Sequence, residues 1–339
     1  MSSSAPLLSV IVPAKDQADF VSDCLTSLTR QAIHPESLEV ILVDDGSRDG
    51  TGEIAADFRC RLPLMRVLCN ELPRGLASAR NQGLEVSTGR LVTYLDADDW
   101  LAPGHLGHLV EQINRLDVDF IRTDHVRSAG AIRTVQRAPE ARRNTRLLPR
   151  ESILPHTRST MVDYCYAWAG IFDRRIEHLL RFPDGLHTAE DRPWAWRLHL
   201  QATSYAVVSS PGILYRRGVS TSLTQISDRR QLDFLRSFRT VFDLVDADVD
   251  AAIYWPKAAR MFLAVLAHHL TRSNQMERGD AKDLVSGGRA VVQRIPESAL
   301  HVATAGLAPA RLTVLSAVLP RRPARRSLTG LSDRLVGRA

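Results

Sequence analysis

In residues 91–99, Leu-Val-Thr-Tyr-Leu-Asp-Ala-Asp-Asp, a short apolar run leads directly into three acids. The run predicts a buried strand, because it is rich in β-branched and aromatic residues and is too short for a helix. Residues 38–45 repeat this arrangement, with a second apolar run that ends in Asp44 and Asp45. In parallel sheets, ligands bind beyond the carboxyl ends of the strands. The two acidic clusters are therefore expected at one binding edge.

Strand and helix signals alternate on either side of these two stretches. The predicted order is strand 7–13, helix 21–28, strand 38–43, helix 51–58, strand 64–68, helix 76–86 and strand 91–95. Alternation at this spacing indicates right-handed βαβ units. We therefore predict an α/β fold, a mostly parallel Rossmann-like sheet with helices on both faces.

The pattern weakens after residue 100. Residues 128–150 are predicted to be loop or irregular strand, residues 181–201 to carry a helix, and residues 231–316 to be mostly helical. The predicted organisation is a main domain over 1–228, divided into halves 1–100 and 101–228. A C-terminal helical accessory region over 229–320 and a basic tail over 321–339 follow it.

Composition narrows the class of protein. The chain has 339 residues, of which 44% are hydrophobic and 24% charged, which excludes wholesale disorder, collagen-like repeats and coiled-coil rods. No apolar run approaches the ~20 residues of a bilayer-spanning helix, and the first residues lack the features of a secretory signal. The four cysteines form no C-x-x-C pair, which suits free thiols in a reducing compartment. We expect a cytoplasmic protein, with peripheral contact at the inner face of the membrane as an option.

The acids at the strand ends need a counter-charge. Carboxylates that converge repel one another, and burial raises the cost of keeping them ionised. A divalent cation removes that cost, and oxygen-only ligands suit Mn²⁺ or Mg²⁺. Asp96 and Asp98, an Asp-x-Asp pair directly after a strand, are the candidate metal ligands. For Asp44 and Asp99 the alternative is capping of the following turn or helix.

Four segments of the chain, in this order, closely resemble those of the family 2 glycosyltransferases. They are SVIVPAKDQADFVSDCLTSLTRQ, EVILVDDGSRDGT, RGLASARNQGLEVSTGRLVTYLDADDWL and HTAEDRPWAWRL, all within residues 8–198. The resemblance implies a GT-A fold and a metal-dependent, inverting transfer from a nucleotide sugar, with a UDP-sugar as the favoured donor. The family's Pro-Ala-Tyr-Asn is Pro-Ala-Lys15-Asp16 here, so the aromatic residue of this loop is replaced by Lys15.

The resemblance also implies that residues 1–100 are a nucleotide-binding half and residues 101–228 an acceptor half, and it implies roles on the donor side. The implied donor contacts are Pro13, Asp16, Asp45, Arg74, Arg80 and Asp96. Asp45 matches the acid that accepts a hydrogen bond from uracil, and Asp96 matches the acid near the ribose. Asp98 matches the metal-binding acid of the DXD motif, with Asp96 as its neighbour. For Arg74 and Arg80 the alternative is a surface or helix-packing arginine.

On the acceptor side the resemblance implies a pair of acids. Glu190 and Asp191 match the family's Glu-Asp pair, with Asp191 as the general base and Glu190 orienting it or the acceptor. A displacement with inversion calls for such a carboxylate, because the attacking hydroxyl must lose its proton. Arg216 and Arg217 precede a serine-rich segment and are predicted to contact the diphosphate.

The net charge of +6 is unevenly placed. Residues 321–339 hold six arginines and one aspartate, and residues 122–150 hold eight arginines and two acids. Both stretches favour an anionic partner: a glycan, a teichoic-acid-like polymer, a lipid-linked acceptor or a membrane surface. No nucleic-acid recognition module is present, so nucleic acid is not expected. The alternatives are a solvated arginine-rich face and a disordered terminus.

The leading hypothesis is a glycosyltransferase that modifies a hydroxyl of a cell-envelope glycan, a teichoic-acid-like polymer or a lipid-linked acceptor. It would transfer a hexose or an N-acetylhexosamine, with a homo-oligomer as an option. One alternative, a nucleotidyltransferase, calls for a glycine-rich basic loop after the first strand, which residues 13–17 do not supply. The other, an inactive polymer-binding module, calls for loss of the DXD motif or the Glu-Asp pair, and both are intact.

Overall fold

The computed structural model describes residues 5–218 and 228–320. Its first half contains β1 (Leu8–Ala14), α1 (Val21–Leu28), β2 (Leu38–Asp44), α2 (Thr51–Ala56), β3 (Leu64–Cys69), α3 (Leu76–Val86), β4 (Leu91–Tyr94), β5 (Trp100–Leu101) and α4 (His105–Leu116). There follow β6 (Phe120–Thr123), β7 (His125–Ala129), β8 (Ile132–Gln136), β9 (Gly170–Asp173), α5 (Glu177–Leu180), α6 (Asp191–Gln201), β10 (Tyr205–Val208) and β11 (Ile213–Arg216). The C-terminal helices are α7 (Asp233–Asp246), α8 (Ala251–Thr271), α9 (Arg278–Val292), α10 (Glu297–Ala305) and α11 (Pro309–Leu315).

The central sheet has seven strands in the order β10-β6-β9-β4-β1-β2-β3. All neighbouring pairs are parallel except those of β9, which runs antiparallel to β4 and to β6. Ala14 lies opposite Asp44 in the register of β1 and β2, so the acids after β2 and after β4 emerge at one edge. The predicted α/β fold with a mostly parallel sheet is confirmed.

The side chains of β2 alternate between two apolar layers, as the period of a strand requires. Ile41 and Val43 pack with Ala79 of α3 on one face, whereas Val40 and Leu42 belong to the main core on the other. Burial on both faces explains why the strand has a continuous apolar run rather than an alternating pattern.

A smaller sheet of four strands, in the order β5-β11-β7-β8, lies beside the central sheet. β7 is parallel to β11 and antiparallel to β8. The prediction of loop or irregular strand for residues 128–150 is wrong over 132–136, because β8 is a regular strand of a hairpin. Every residue of β8 is exposed, so no alternation of apolar and polar residues marked it.

The C-terminal helices form a second apolar core. Phe234, Phe238 and Phe242 of α7 pack against α8, and Trp196 of α6 is buried in the same cluster. The predicted helical character of residues 231–316 is confirmed for the described part of the chain. No helix of the described residues is long and apolar enough to cross a membrane. The boundary between residues 228 and 229 stays a prediction, and the basic tail 321–339 and the serine-rich segment after Gly218 lie outside the described residues.

Candidate active site

A cavity of about 1010 Å³ opens at the carboxyl ends of the central strands. Among the residues proposed from the sequence, those that line it are Pro13, Asp16, Asp45, Arg80, Asp96, Asp98, Glu190 and Asp191. They come from five separate stretches of the chain, which the fold brings together. Asp45 after β2, Asp96 and Asp98 after β4, and the acid pair at the start of α6 therefore share one cavity.

The Asp45 carboxylate is held in place by the loop after β3. Its Oδ1 accepts hydrogen bonds from Asn70 Nδ2 at 2.9 Å and from the backbone N–H of Arg74 at 2.8 Å. Its Oδ2 accepts one from the backbone N–H of Gly75 at 2.7 Å. Gly75 has φ +92° and ψ +159°, a conformation open to glycine alone, which lets the loop turn its N–H groups towards the carboxylate.

The loop after β1 forms the neighbouring wall. Asp16 adopts φ +52°, donates its backbone N–H to Ser47 Oγ at 2.9 Å and accepts the backbone N–H of Arg48 at 2.9 Å. Lys15 also lines the cavity and forms a salt bridge with Asp16 at 3.2 Å. The residue that departs from the family pattern thus adds a positive charge where the family has an aromatic ring.

Arg80 joins the two acidic ends of the cavity. Its guanidinium is buried over the ring of Phe182 and donates to Asp96 Oδ1 at 2.8 Å and to Glu190 Oε1 at 2.7 Å. Burial disfavours the charged guanidinium, but Asp96 and Glu190 outweigh it and raise the pKa of Arg80. Arg80 therefore acts chiefly as a clamp between the Asp-x-Asp pair and the Glu-Asp pair.

The acids after β4 differ in their surroundings. Burial, and then the charge of Asp96, raise the pKa of Asp98 to about 6. The Asp98 carboxylate accepts no hydrogen bond from another residue in the described chain, whereas Asp99 Oδ1 accepts the backbone N–H of Arg216 at 2.7 Å. Asp99 is thus a structural link to β11, and Asp44 caps its own turn by accepting the backbone N–H of Ser47.

The metal prediction can be tested against these donor atoms. No group of three or more His, Cys, Asp or Glu side chains is arranged to hold a metal within the described residues. Asp96 and Asp98 supply two carboxylates at the cavity wall, which fits a Mg²⁺-like ion that takes its other ligands from phosphates and water. The two acids therefore fit a cation that binds together with a diphosphate.

Glu190 and Asp191 stand at the start of α6 with different partners. Glu190 is buried against Arg80, whereas the Asp191 carboxylate has no hydrogen bond or salt bridge to another residue in the part of the chain that the structure describes. Burial raises the pKa of both acids, and the neighbouring arginines oppose that shift. Asp191 is accordingly the acid of the pair whose oxygens are available to a ligand.

The three remaining arginines proposed from the sequence are placed elsewhere. Arg74 contributes its backbone N–H to Asp45, and its exposed side chain does not line the described cavity. Arg216 is stacked between Phe20 and Trp100 and donates to the backbone oxygen of Asp98 at 2.8 Å. Arg217 donates to Tyr215 Oη at 2.9 Å. The structure does not bring these guanidinium groups into the cavity, so their contact with a diphosphate stays a prediction.

The residues that form one wall of the cavity were not predicted from the sequence. It is made by Tyr166, Trp168, Arg192, Tyr215, Arg230, Phe234, Ala264, Val265, His268 and His269. These residues lie far apart along the chain, and only the alternating aromatic residues Tyr164, Tyr166 and Trp168 offered a local signal. Trp194 and Trp196 of α6 do not line the cavity and are both buried in apolar cores.

Comparison with known proteins supports this picture. The chain is similar to EpsJ, an uncharacterized glycosyltransferase of Bacillus subtilis (strain 168), with 28% identity over 233 residues that span 67% of this chain and 66% of EpsJ. It is similar to TarS, the poly(ribitol-phosphate) beta-N-acetylglucosaminyltransferase of Staphylococcus aureus (strain MW2), with 26% identity over 253 residues that span 72% of this chain and 41% of TarS. The matches thus span less than two thirds of each relative's length.

The fold is similar to the crystal structure of S. aureus TarS 1–349 in complex with UDP-GlcNAc, with a TM-score of 0.71 and 21% identity. That likeness covers 91% of this chain and 90% of the crystallised one, and it concerns the fold. The sequence model of Glycosyl transferase family 2 matches residues 9–180, which is more than half of the 339 residues. This chain belongs to glycosyl transferase family 2.

Proposed function

We propose that this protein transfers a hexose or an N-acetylhexosamine from a UDP-sugar to a hydroxyl of a cell-envelope glycan, a teichoic-acid-like polymer or a lipid-linked acceptor, with inversion. The observation that carries the proposal is the convergence of Asp45, Asp98 and Asp191 on one cavity. TarS, named as an N-acetylglucosaminyltransferase and crystallised with UDP-GlcNAc, makes UDP-GlcNAc the first donor to test.

The proposed chemistry is a single displacement. Asp191 removes the proton of the acceptor hydroxyl while the oxygen attacks the anomeric carbon. The bond from that carbon to the diphosphate oxygen breaks, and the nucleoside diphosphate leaves from the opposite face with the bonding electrons. Glu190, fixed by Arg80, sets the position of the acid pair at the start of α6.

Asp96 and Asp98 are proposed to hold a Mn²⁺ or Mg²⁺ ion together with the diphosphate. When bound, the ion supplies positive charge that stabilises the negative charge on the leaving group. Asp45 is proposed to bind the uracil ring of the donor, because its two carboxylate oxygens are already oriented by the loop after β3. Pro13 near the end of β1 and Asp16 in the loop after it line the cavity and are proposed to border the donor.

The donor assignment is tested by mutation of Asp98. We expect Asp98→Asn to lower the affinity for UDP-GlcNAc by about tenfold or more with Mn²⁺ present, because one anionic ligand of the ion is lost. Without metal, the variant and the wild type should bind UDP-GlcNAc equally weakly. Calorimetric titrations with and without Mn²⁺ measure both quantities, and hydrolysis of a panel of nucleotide sugars identifies the preferred donor. Equal metal-dependent affinities would show that Asp98 holds no metal.

The pH dependence of transfer tests the role of Asp191. Only the ionised carboxylate can take a proton, and burial raises its pKa above the ordinary ~4 of an aspartate. We therefore expect kcat/KM to fall on acidification at a pH clearly above 4, while circular dichroism shows the protein still folded. A profile that stays flat down to about pH 4 would contradict Asp191 as the base.

The cellular setting of the activity is also proposed. A nucleotide-sugar donor points to action on the cytoplasmic side, where an acceptor under assembly meets the inner face of the membrane. Peripheral contact through residues 321–339 and formation of a homo-oligomer remain part of this proposal.

A further inference from the structure

The structure divides the eight arginines of residues 122–150 into three groups. Arg122 is buried. Four others form ion pairs with acids: Arg142, Arg143, Arg146 and Arg150. The last three, Arg127, Arg133 and Arg137, are exposed and form no ion pair with any described residue. The unpaired positive charge of this segment therefore lies on the hairpin of β7 and β8 and directly after it.

Arg127 lies on the same face of the small sheet as one wall of the cavity. Arg127 lies opposite Tyr215 in the parallel register of β7 and β11, so their side chains share one face of the small sheet. His125, two residues before Arg127 and thus on that face, packs against Tyr166 and Trp168 with ring centroids 4.9 Å apart. Tyr166, Trp168 and Tyr215 all line the cavity.

Arg133 lies on the other face of the hairpin. It is opposite Ser128, which alternates with Arg127 along β7. It is exposed and unpaired among the described residues, as Arg127 is, but its side chain points away from Tyr215. Arg133 therefore differs from Arg127 chiefly in the face on which it lies.

Arg217 extends the same surface from β11. Its guanidinium carbon lies 5.3 Å from the centre of the Tyr215 ring, its Nη1 donates to Tyr215 Oη, and its backbone N–H bonds to Ser128 O at 2.7 Å. Within residues 5–218 and 228–320 it has no carboxylate partner. Both arginines also influence the Tyr166 hydroxyl. Burial raises the pKa of Tyr166, and the positive charges of Arg127 and Arg217 oppose that shift.

We propose that Arg127 and Arg217 form an anion subsite outside the cavity, which binds a phosphodiester of a polyol-phosphate acceptor next to the unit that reacts. The proposal rests on the proposed function and narrows its acceptor class. Two guanidinium groups without acidic partners suit phosphate oxygens, because the planar fork donates two parallel hydrogen bonds. Tyr166 and Tyr215 connect this subsite with the cavity that contains Asp191.

The continuity of this surface favours a polymer over a membrane. An acceptor polymer whose reacting hydroxyl lies at Asp191 can pass over Tyr166 and Tyr215, so that a neighbouring phosphate of the polymer reaches Arg127 and Arg217. A membrane surface would be attracted equally to Arg133 and Arg137, because a charged bilayer responds to the basic residues near it whatever their face.

Binding of fluorescein-labelled oligo(glycerol phosphate) to the full chain, in the presence of UDP, tests the subsite. We expect Arg127→Gln and Arg217→Gln each to weaken binding about tenfold, through loss of a charge-assisted phosphate contact. Arg133→Gln, which removes the same charge from the other face, should change it less than about twofold. Fluorescence anisotropy measures all four proteins under one salt concentration.

Two outcomes would overturn the proposal. One is equal weakening by Arg127→Gln and Arg133→Gln, which would mean diffuse attraction. The other is that Arg127→Gln weakens binding to phosphatidylglycerol vesicles but does not weaken binding to the oligomer, which would assign the surface to a membrane. Hydrolysis of the panel of nucleotide sugars by the wild type is followed separately, since hydrolysis of none of them would contradict the proposed function and leave the binding comparison intact.

Discussion

Asp191→Asn is expected to reduce the rate of sugar transfer by about a thousandfold, because a general base contributes roughly 10²–10⁴ to such a rate. The asparagine has nearly the same shape but cannot accept the proton of the acceptor hydroxyl. The Asp191 carboxylate has no hydrogen-bonded partner among the described residues, so its neutralisation disrupts no ion pair there. Steady-state kinetics with saturating UDP-GlcNAc and acceptor give kcat, and calorimetry gives the affinity for the donor, which should change less than about twofold.

A matched control uses an aspartate outside the cavity. Asp19 is exposed between β1 and α1, has no hydrogen bond or ion pair to another described residue, and does not line the cavity. Asp19→Asn makes the same chemical change and should leave kcat unaltered. Retention of near-normal turnover by Asp191→Asn would require another base, with Glu190 next to be tested.

Loss of Arg80 is expected to cost the protein about 3 kcal/mol in free energy of unfolding, since it leaves charged groups buried without a partner. Arg80 is only 3% exposed and contacts both Asp96 and Glu190. Arg80→Met keeps much of the side-chain volume but removes the charge. Denaturant unfolding followed by circular dichroism measures the difference.

A double mutant separates the charge effect from simple loss of packing. In Arg80→Met/Glu190→Gln the unpaired acid is neutralised, so part of the stability, about 1 kcal/mol or more, should return. Arg90→Met is the control, because Arg90 is 47% exposed in its ion pair with Asp173 and such pairs contribute about 0–1 kcal/mol. A double mutant less stable than Arg80→Met would show that the Arg80–Glu190 contact is not what holds the acid pair.

The part of the fold that could be predicted is the part with a strong local pattern. β1, β2 and β4 are buried on both faces, so each appears in the sequence as a continuous apolar run, and the acids that follow two of them mark the binding edge. β9 has four residues and runs antiparallel between two segments of the sheet. β4 is equally short, but its apolar run leads directly into an acidic cluster, whereas β9 has no such marker, and no local pattern gives the direction of a strand.

The residues of the candidate site also divide into those with a local sequence pattern, which could be predicted, and those without one. Asp45 and Asp98 could be proposed from the acidic clusters that follow two buried strands, and Asp191 from the resemblance of its Glu-Asp pair to that of the family. The aromatic wall and the residues of α8 could not, because a tertiary contact between distant segments leaves no trace in the spacing of either. The role of Arg80 as a clamp was equally hidden, since Glu190 lies 110 residues further along the chain.

The helix that carries Asp191 is anchored on both sides. Trp194 and Leu198 of α6 are buried in the core of the central sheet, whereas Trp196 and Leu200 are buried among the C-terminal helices. The acid at its start is thus held in register by two hydrophobic layers rather than one. A relative that exchanges its C-terminal helices for others must still supply a hollow for an indole at this point to keep the carboxylate at the start of this helix in place.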